Sequence, residues 1–303
     1  MYVEQRQQNN IAAGYQMFPG KAGKATVGRL MAEEEAEVLG FLTEQISNTF
    51  GMVGFIRSNG LVSPHNRGTF YGCRNDEGQL EGVALIGHAT LFEARSDAAI
   101  EAFAAIARDC SDVFMLFGDQ EGVRTFWNYY SDDGRQERLY CRELLFEQRS
   151  PVDEQEKEPG LRPATIDDLD LVVPVHARTA YEESGVNPLD VDPQGFRNRC
   201  ARRIEQGKTW VLVENGKLIF KAEIVTDSPE VIYLEGVDVH PDERRKGRGT
   251  RCIRQLSCML LERASSVVLL VNEQNKSAQS FYHKAGYELI GYYDTIFLKQ
   301  ELN

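Results

Sequence analysis

A chain of 303 residues with 42% hydrophobic content is long enough for two packed domains, and its formal net charge of −12 argues against nucleic acid as a partner. The apolar runs fall far short of the ~20 residues of a membrane span, and nothing at the N-terminus reads as a signal peptide. The six cysteines form no C-x-x-C pair, so a cytoplasmic protein with free thiols and no metal is expected.

In chain order, the polar residues 1–27 read as a mobile start. Residues 33–49 carry a helical spacing. Residues 70–73 and 79–88 read as strands flanking Asp76-Glu77-Gly78, a hairpin signal. A helix over 98–108, a strand over 113–117 and a closing strand over 138–146 complete a first domain, residues 28–148. Residues 149–160 hold two prolines and no apolar periodicity, the composition of a linker. Residues 1–160 carry 15 Lys and Arg against 25 Asp and Glu, whereas 161–303 carry 19 against 21. The acidity therefore belongs to the first half, where ordinary solubility accounts for it as well as attraction of cationic substrates does.

The remainder, residues 161–303, alternates α and β. A short strand over 161–164 precedes Thr165, a helix cap, and Asp192-Pro193 starts another helix. Strands over 209–214 and 218–225 flank Asn215-Gly216, a strong hairpin turn. The apolar run 231–239 reads as a buried strand that Pro241 stops, followed by a loop and a helix over about 250–262. An aliphatic strand over 267–271, a helix from the N-cap Asn275 to Gly286, and a final hairpin over 287–298 close the chain.

Two segments carry chemistry. In Val237-Asp-Val-His-Pro-Asp-Glu-Arg244-Arg-Lys-Gly247-Arg-Gly249-Thr250, a strand feeds a glycine-bearing turn and then a helix N-terminus. Free N–H groups at the positive end of a helix dipole suit a phosphate or pyrophosphate. The spacing is neither G-x-x-x-x-G-K-S/T nor G-x-G-x-x-G. The second segment reads Asn275-x-x-Ala278-x-x-Phe281-Tyr282-x-Lys284-x-Gly286-Tyr287, with Ala278 and Tyr282 on one face of a short helix. Together, Arg244-x-x-Gly247-x-Gly249 and the Asn275 segment resemble the two cofactor motifs of the GNAT superfamily of N-acetyltransferases.

The resemblance implies an α/β fold with a mixed sheet, in which residues 161–303 form a GNAT domain. The first half has a GNAT-like order of elements without the Arg-x-x-Gly-x-Gly loop. It reads as a degenerate copy, similar to the domain that precedes the catalytic one in a group of bacterial GNAT proteins, and no cofactor is placed there. The same resemblance implies that acetyl-CoA lies with its pyrophosphate on the amides around Arg245, Lys246, Gly247, Arg248, Gly249 and Thr250. Its pantetheine would run along the edge of Val237, Asp238 and Val239, with Asn275 opposite. Lys246 and Arg248 add cationic charge beside the loop, and solvated side chains at Arg244 and Arg248 are the alternative, since the loop works mainly through its backbone.

For catalysis, Tyr282 matches the tyrosine that many superfamily members use as a general acid. With an ordinary pKa of about 10 the phenol is still protonated at neutral pH, so a proton is available for the leaving thiolate. Tyr233, Glu235, Val237 and Val239 are expected to alternate onto one strand face, with Glu235 as the base, buried against apolar neighbours. A small primary amine or amino-acid-like molecule is the expected acceptor. A protein acceptor, a non-catalytic CoA-sensing module and a longer acyl donor are the alternatives. A homodimer is compatible with the sequence, and no membrane partner is expected.

Overall fold

The computed structural model describes residues 15–152 and 157–299. The first 14 residues of the expected mobile start and residues 153–156 of the expected linker lie outside that range. The chain divides into two compact units, Met1–Glu143 with Gly291–Asn303, and Leu144–Ile290.

The first unit runs β1 (Gln16–Gly20), β2 (Gly23–Arg29), α1 (Glu35–Thr43), α2 (Ile46–Asn59), β3 (Gly68–Arg74), β4 (Leu80–Gly87), β5 (Ala89–Ala94), α3 (Asp97–Arg108), β6 (Met115–Asp119), α4 (Gln120–Tyr130) and the first part of β7 (Glu137–Gln148). Its strands lie in the order β1-β2-β3-β4-β5-β6 and then β13, the last strand of the chain (Glu288–Leu298). All neighbours are antiparallel except β5 and β6, the two strands joined by the crossover helix α3. That helix buries Ala99, Ile100, Phe103 and Ala107 on one stripe, and packs with α4 around Phe92 and Phe126. The other sheet face is covered by α1 and α2 through Val38, Leu42, Val53 and Ile56. Each such side chain, fully buried, is worth about 1.5–3 kcal/mol of hydrophobic free energy.

Several expectations are corrected in this unit. The helix expected over 33–49 is two helices: Gln45 leaves helical geometry, and the Thr49 hydroxyl donates to the Leu42 carbonyl at 2.6 Å. Strand β5 follows β4 after the single residue His88, too short an interval to leave a turn signal. Part of the stretch expected to be mobile is the β1–β2 hairpin, whose Ala25 and Val27 alternate into the core. Glu101 holds its turn by accepting the N–H groups of Lys21 and Ala22 at 2.8 and 2.7 Å.

The second unit takes in the end of β7, β8 (Arg162–Pro163), α5 (Leu169–Ser184), α6 (Pro188–Val191), α7 (Pro193–Glu205), β9 (Thr209–Glu214), β10 (Lys217–Asp227), β11 (Ile232–Val239), α8 (Arg248–Leu261), β12 (Val267–Asn272) and α9 (Lys276–Ala285). The strand order is β7-β12-β11-β10-β9-β8, and β11 with β12 forms a parallel pair bridged by α8. Thr165 and Asp168 make a capping box, and Asn215 and Gly216 both take φ > 0 in a two-residue turn. One sheet face packs against α8 through Cys252, Ile253, Leu256 and Leu260. The other packs against α5 and α7 through Val172, Val173, Phe196 and Ile204. The hairpin expected over 287–298 is instead the single strand β13, because Gly291 keeps φ < 0 and nothing turns the chain. Its residues Tyr293 to Phe297 pair with β6 in the first unit.

Each unit thus holds one parallel strand pair with a crossover helix. The fold is mixed α/β with tandem, related domains, of which the first has lost its loop. Only Arg95 and Ser96 separate β5 from α3, and the Ser96 hydroxyl accepts the Ala99 N–H at 3.4 Å.

Candidate active site

In the second unit, eight residues separate β11 from α8. Arg245 and Gly247 both adopt positive φ, 61° and 82°, which curls the loop into the start of the helix. The side chains along it tie the loop to itself. The Arg244 Nε donates to the Val239 carbonyl at 2.9 Å, and Lys246 pairs with Glu243 at 3.1 Å. The Arg248 guanidinium is drawn to Glu214 and Glu158, and Arg251 binds the same Glu158 at 2.8 Å. Among the described residues, nothing accepts the backbone N–H groups of Arg245, Lys246 and Gly247. Those of Arg248, Gly249 and Thr250 lie in the first helical turn, where no intrahelical carbonyl reaches, and Gly247 offers no side-chain cap. Six consecutive amides at the positive end of a 14-residue helix are what an anion requires.

Gly249 is fixed by packing. A Cβ there would meet the Val239 Cγ2 at 2.6 Å and the Phe281 ring at 3.3 Å. The start of α8 therefore lies against both the end of β11 and the helix that carries Tyr282. Asn275 is the N-cap of that helix, its Oδ1 accepting the Ala278 N–H at 3.0 Å.

The strand leading into the loop is not regular. Register with β10 runs Leu234↔Ile224 and Glu235↔Glu223, then resumes at Asp238↔Lys221 and Val239↔Phe220, so Gly236 and Val237 form a bulge opposite one residue. Gly236 has φ 56°. Parallel register with β12 extends only from Ile232 to Leu234. The bulge corrects the expected alternation. Val237 and Val239 pack against the α8-side core, while Glu235 shares the opposite face with Glu223. Glu235 is also not buried against apolar neighbours: its side chain is 34% exposed and lies 3.6 Å from Arg203. Asp238 is held by Arg178 at 2.7 Å.

Beneath the bulge lies a charged cluster that the sequence reading did not single out. Lys221, wholly buried, places its ammonium 3.0 Å from Glu223 Oε1, 3.2 Å from His176 Nδ1 and 3.2 Å from the Gly236 carbonyl. Arg203 closes on the other oxygen of Glu223. Although burial opposes the charge, the cations Lys221 and Arg203 hold the Glu223 carboxyl well below its ordinary range. The signal was present: Lys221 and Glu223 stand two apart in the otherwise apolar run Ile219 to Ile224, so both face inward.

Tyr282 sits in an aromatic nest, with ring centroids 4.9 Å from Phe281, 5.7 Å from Tyr287 and 6.3 Å from Phe146. It is 7% exposed, and burial followed by the negative charge potential of Tyr287 and Glu183 pushes its phenol well above the ordinary value. Its hydroxyl has no hydrogen-bond partner among the described residues. The neighbouring Tyr287 is the satisfied core tyrosine, 2.6 Å from the Ser257 hydroxyl. No group of three or more metal-ligating side chains occurs among the described residues, and no described helix is long and apolar enough to cross a membrane.

Residues 176–287 match the acetyltransferase (GNAT) family model. A search of curated protein sequences gave no significant match. Solved structures similar to the chain include a GNAT-family acetyltransferase from Colwellia psychrerythraea, at 12% identity and TM-score 0.54, covering 90% of this chain and 99% of that one. A GCN5-related N-acetyltransferase from Sphaerobacter thermophilus is similar at 9% identity and TM-score 0.56, covering 89% and 94%. A tandem GNAT protein from the clavulanic acid biosynthesis pathway is similar at 13% identity and TM-score 0.57, covering 92% and 99%. The family uses acetyl-CoA, and the six open amides and the glycine packed on Val239 are a cradle of the right chemistry for its pyrophosphate. Residues 176–287 thus form a GNAT-family acetyltransferase domain, and the chain as a whole shares the fold of a tandem GNAT protein, with a degenerate GNAT-like domain ahead of the matching one.

Proposed function

We propose that the protein is an acetyl-CoA-dependent N-acetyltransferase acting on the primary amine of a small or amino-acid-like molecule in the cytoplasm. The observation that carries this reading is the Tyr282 hydroxyl, which has no hydrogen-bond partner among the described residues, on a largely buried ring next to Phe281, the residue that borders Gly249 at the end of the loop of open amides. A core tyrosine would be satisfied as Tyr287 is.

Acetyl-CoA supplies the activated thioester. The amides of Arg245 to Thr250 bind its phosphates, and the open edge of Val237 to Val239 takes the arm as an added strand would. Asn275 borders the arm from the start of α9. Glu235, partly exposed, receives the ammonium of the acceptor and takes its proton directly or through water. The neutral nitrogen forms a bond to the acetyl carbon, the carbon–sulfur bond breaks, and the Tyr282 proton passes to the sulfur; the nitrogen's second proton leaves to water as the amide forms, and water returns one to the Tyr282 phenolate. Because burial raises its pKa, Tyr282 stays protonated until that step. All six cysteines are free, which supports a reducing compartment.

The test is release of free thiol from acetyl-CoA across a panel of primary amines, for the native protein and Tyr282→Phe. Turnover with at least one amine, lowered about tenfold or more by the substitution with acetyl-CoA binding little changed, supports the reading. Binding without turnover on any amine or peptide would assign a sensing module instead.

A further inference from the structure

We propose that Lys221 is a positioning residue for acyl transfer: its buried ammonium grips the Gly236 carbonyl and thereby aims the Val237 N–H at the reacting carbonyl. This inference rests on the acetyl-transfer reading above. A trans peptide is planar, so the carbonyl of one residue and the N–H of the next point in opposite directions. With the Gly236 oxygen drawn to Lys221 at 3.2 Å, the Val237 N–H faces away from the charged cluster. It does so at a bulge beyond the last register pair with β12, Leu234↔Leu269. An N–H fixed there before the reaction is suited to the charge that develops on a thioester oxygen, and such preorganised donors are worth about 10²–10³ in kcat.

The geometry is specific to the ammonium. Nζ donates to the Gly236 carbonyl and lies 3.0 Å from the Glu223 carboxylate that balances its charge, with His176 Nδ1 at 3.2 Å. Buried charges are costly, and an apolar side chain would fill the same volume more cheaply. A stability role alone gives no reason to seat a lysine beneath a bulge. Nor does it explain Gly236: a Cβ at that residue would lie 3.0 Å from Nζ, so any other residue would press on the grip, and its φ of 56° favours glycine as well.

Removing Lys221 alone would strand Glu223, so the variant to make is Lys221→Met with Glu223→Gln, which deletes the pair together. The readouts are the split between kcat and the acetyl-CoA KM, and the infrared carbonyl band of bound acetyl-CoA labelled with ¹³C at the acetyl carbonyl. The native protein should bind acetyl-CoA with the band shifted to lower frequency. In the variant, the band should return toward its free position and kcat should fall about tenfold or more, with KM within about twofold. Gly236→Ala, which presses a methyl on the grip, should move both readouts the same way and supplies the test should the double variant not fold. An unmoved band and kcat in a folded variant overturn the positioning role while leaving acetyl transfer standing. Native protein that does not bind acetyl-CoA overturns both.

Discussion

Gly249 tests the cradle by its packing. Replacing it with alanine places a Cβ 2.6 Å from Val239 Cγ2, about 0.8 Å inside ordinary contact. A backbone helix end and a branched side chain on a strand cannot both hold position, and overpacking of this kind costs about 1–3 kcal/mol. The cheaper movement is of the first turn of α8, whose amides the phosphates need. Each charge-assisted amide bond is worth about 1.5–3 kcal/mol, so misplacing one or two raises the Kd for acetyl-CoA about 10–100-fold. Calorimetry on Gly249→Ala measures this. The packing cause is isolated by adding Val239→Ala, which removes the clashing methyl and should restore Kd to within about threefold of native. Unchanged affinity in Gly249→Ala, or no recovery in the pair, would refute the argument that this contact seats the loop.

Two further outcomes follow from the charges. Glu235→Gln should lower kcat/KM for the amine and move the acidic limb of the pH–rate profile, whereas an unaltered limb leaves water as the base. In the first unit, burial, and then the charge of Asp119, push the Glu93 carboxyl up from 4.5 to about 7. An acid whose folded pKa is raised loses stability as pH climbs from its unfolded value through the folded one. Glu93→Gln should therefore stabilise the fold at pH 8 by on the order of 1 kcal/mol after allowing for solvent screening, seen as a higher melting temperature, and leave pH 4 unaffected; equal effects at both values would contradict the shift.

Much of the second unit was legible because its signals are local. Asn215-Gly216 marks its own turn, Thr165 and Asp168 their own cap, and Asn275 with Gly286 bracket a helix in a way that needs no tertiary context. The glycine loop was legible for the same reason. Glu235 was misplaced because a bulge at Gly236 shifts the face of the residues after it, and one residue of slip is invisible to a period-two pattern. His176 and Arg203 join the Lys221 cluster from two helices, more than 15 residues away in sequence, so only the packed fold brings them together. The end of the chain was misread for a similar reason. Strand β13 continues straight and pairs with β6, a partner some 180 residues earlier, where a local hairpin was the simpler reading. In the first unit, the capped two-residue link between β5 and α3 shows why the motif was missing: there is no loop to carry it.

The proposed role of the amides from Arg245 to Thr250 is to hold the phosphates of acetyl-CoA. Its most direct measurement is a calorimetric titration of the full-length protein with acetyl-CoA beside acetyl-pantetheine, which has the same thioester and no pyrophosphate. With the phosphates on these amides, acetyl-CoA should form a one-to-one complex at least about 100-fold tighter than acetyl-pantetheine, which forgoes two or more charge-assisted bonds. Equal affinities, or no binding of acetyl-CoA, would contradict it.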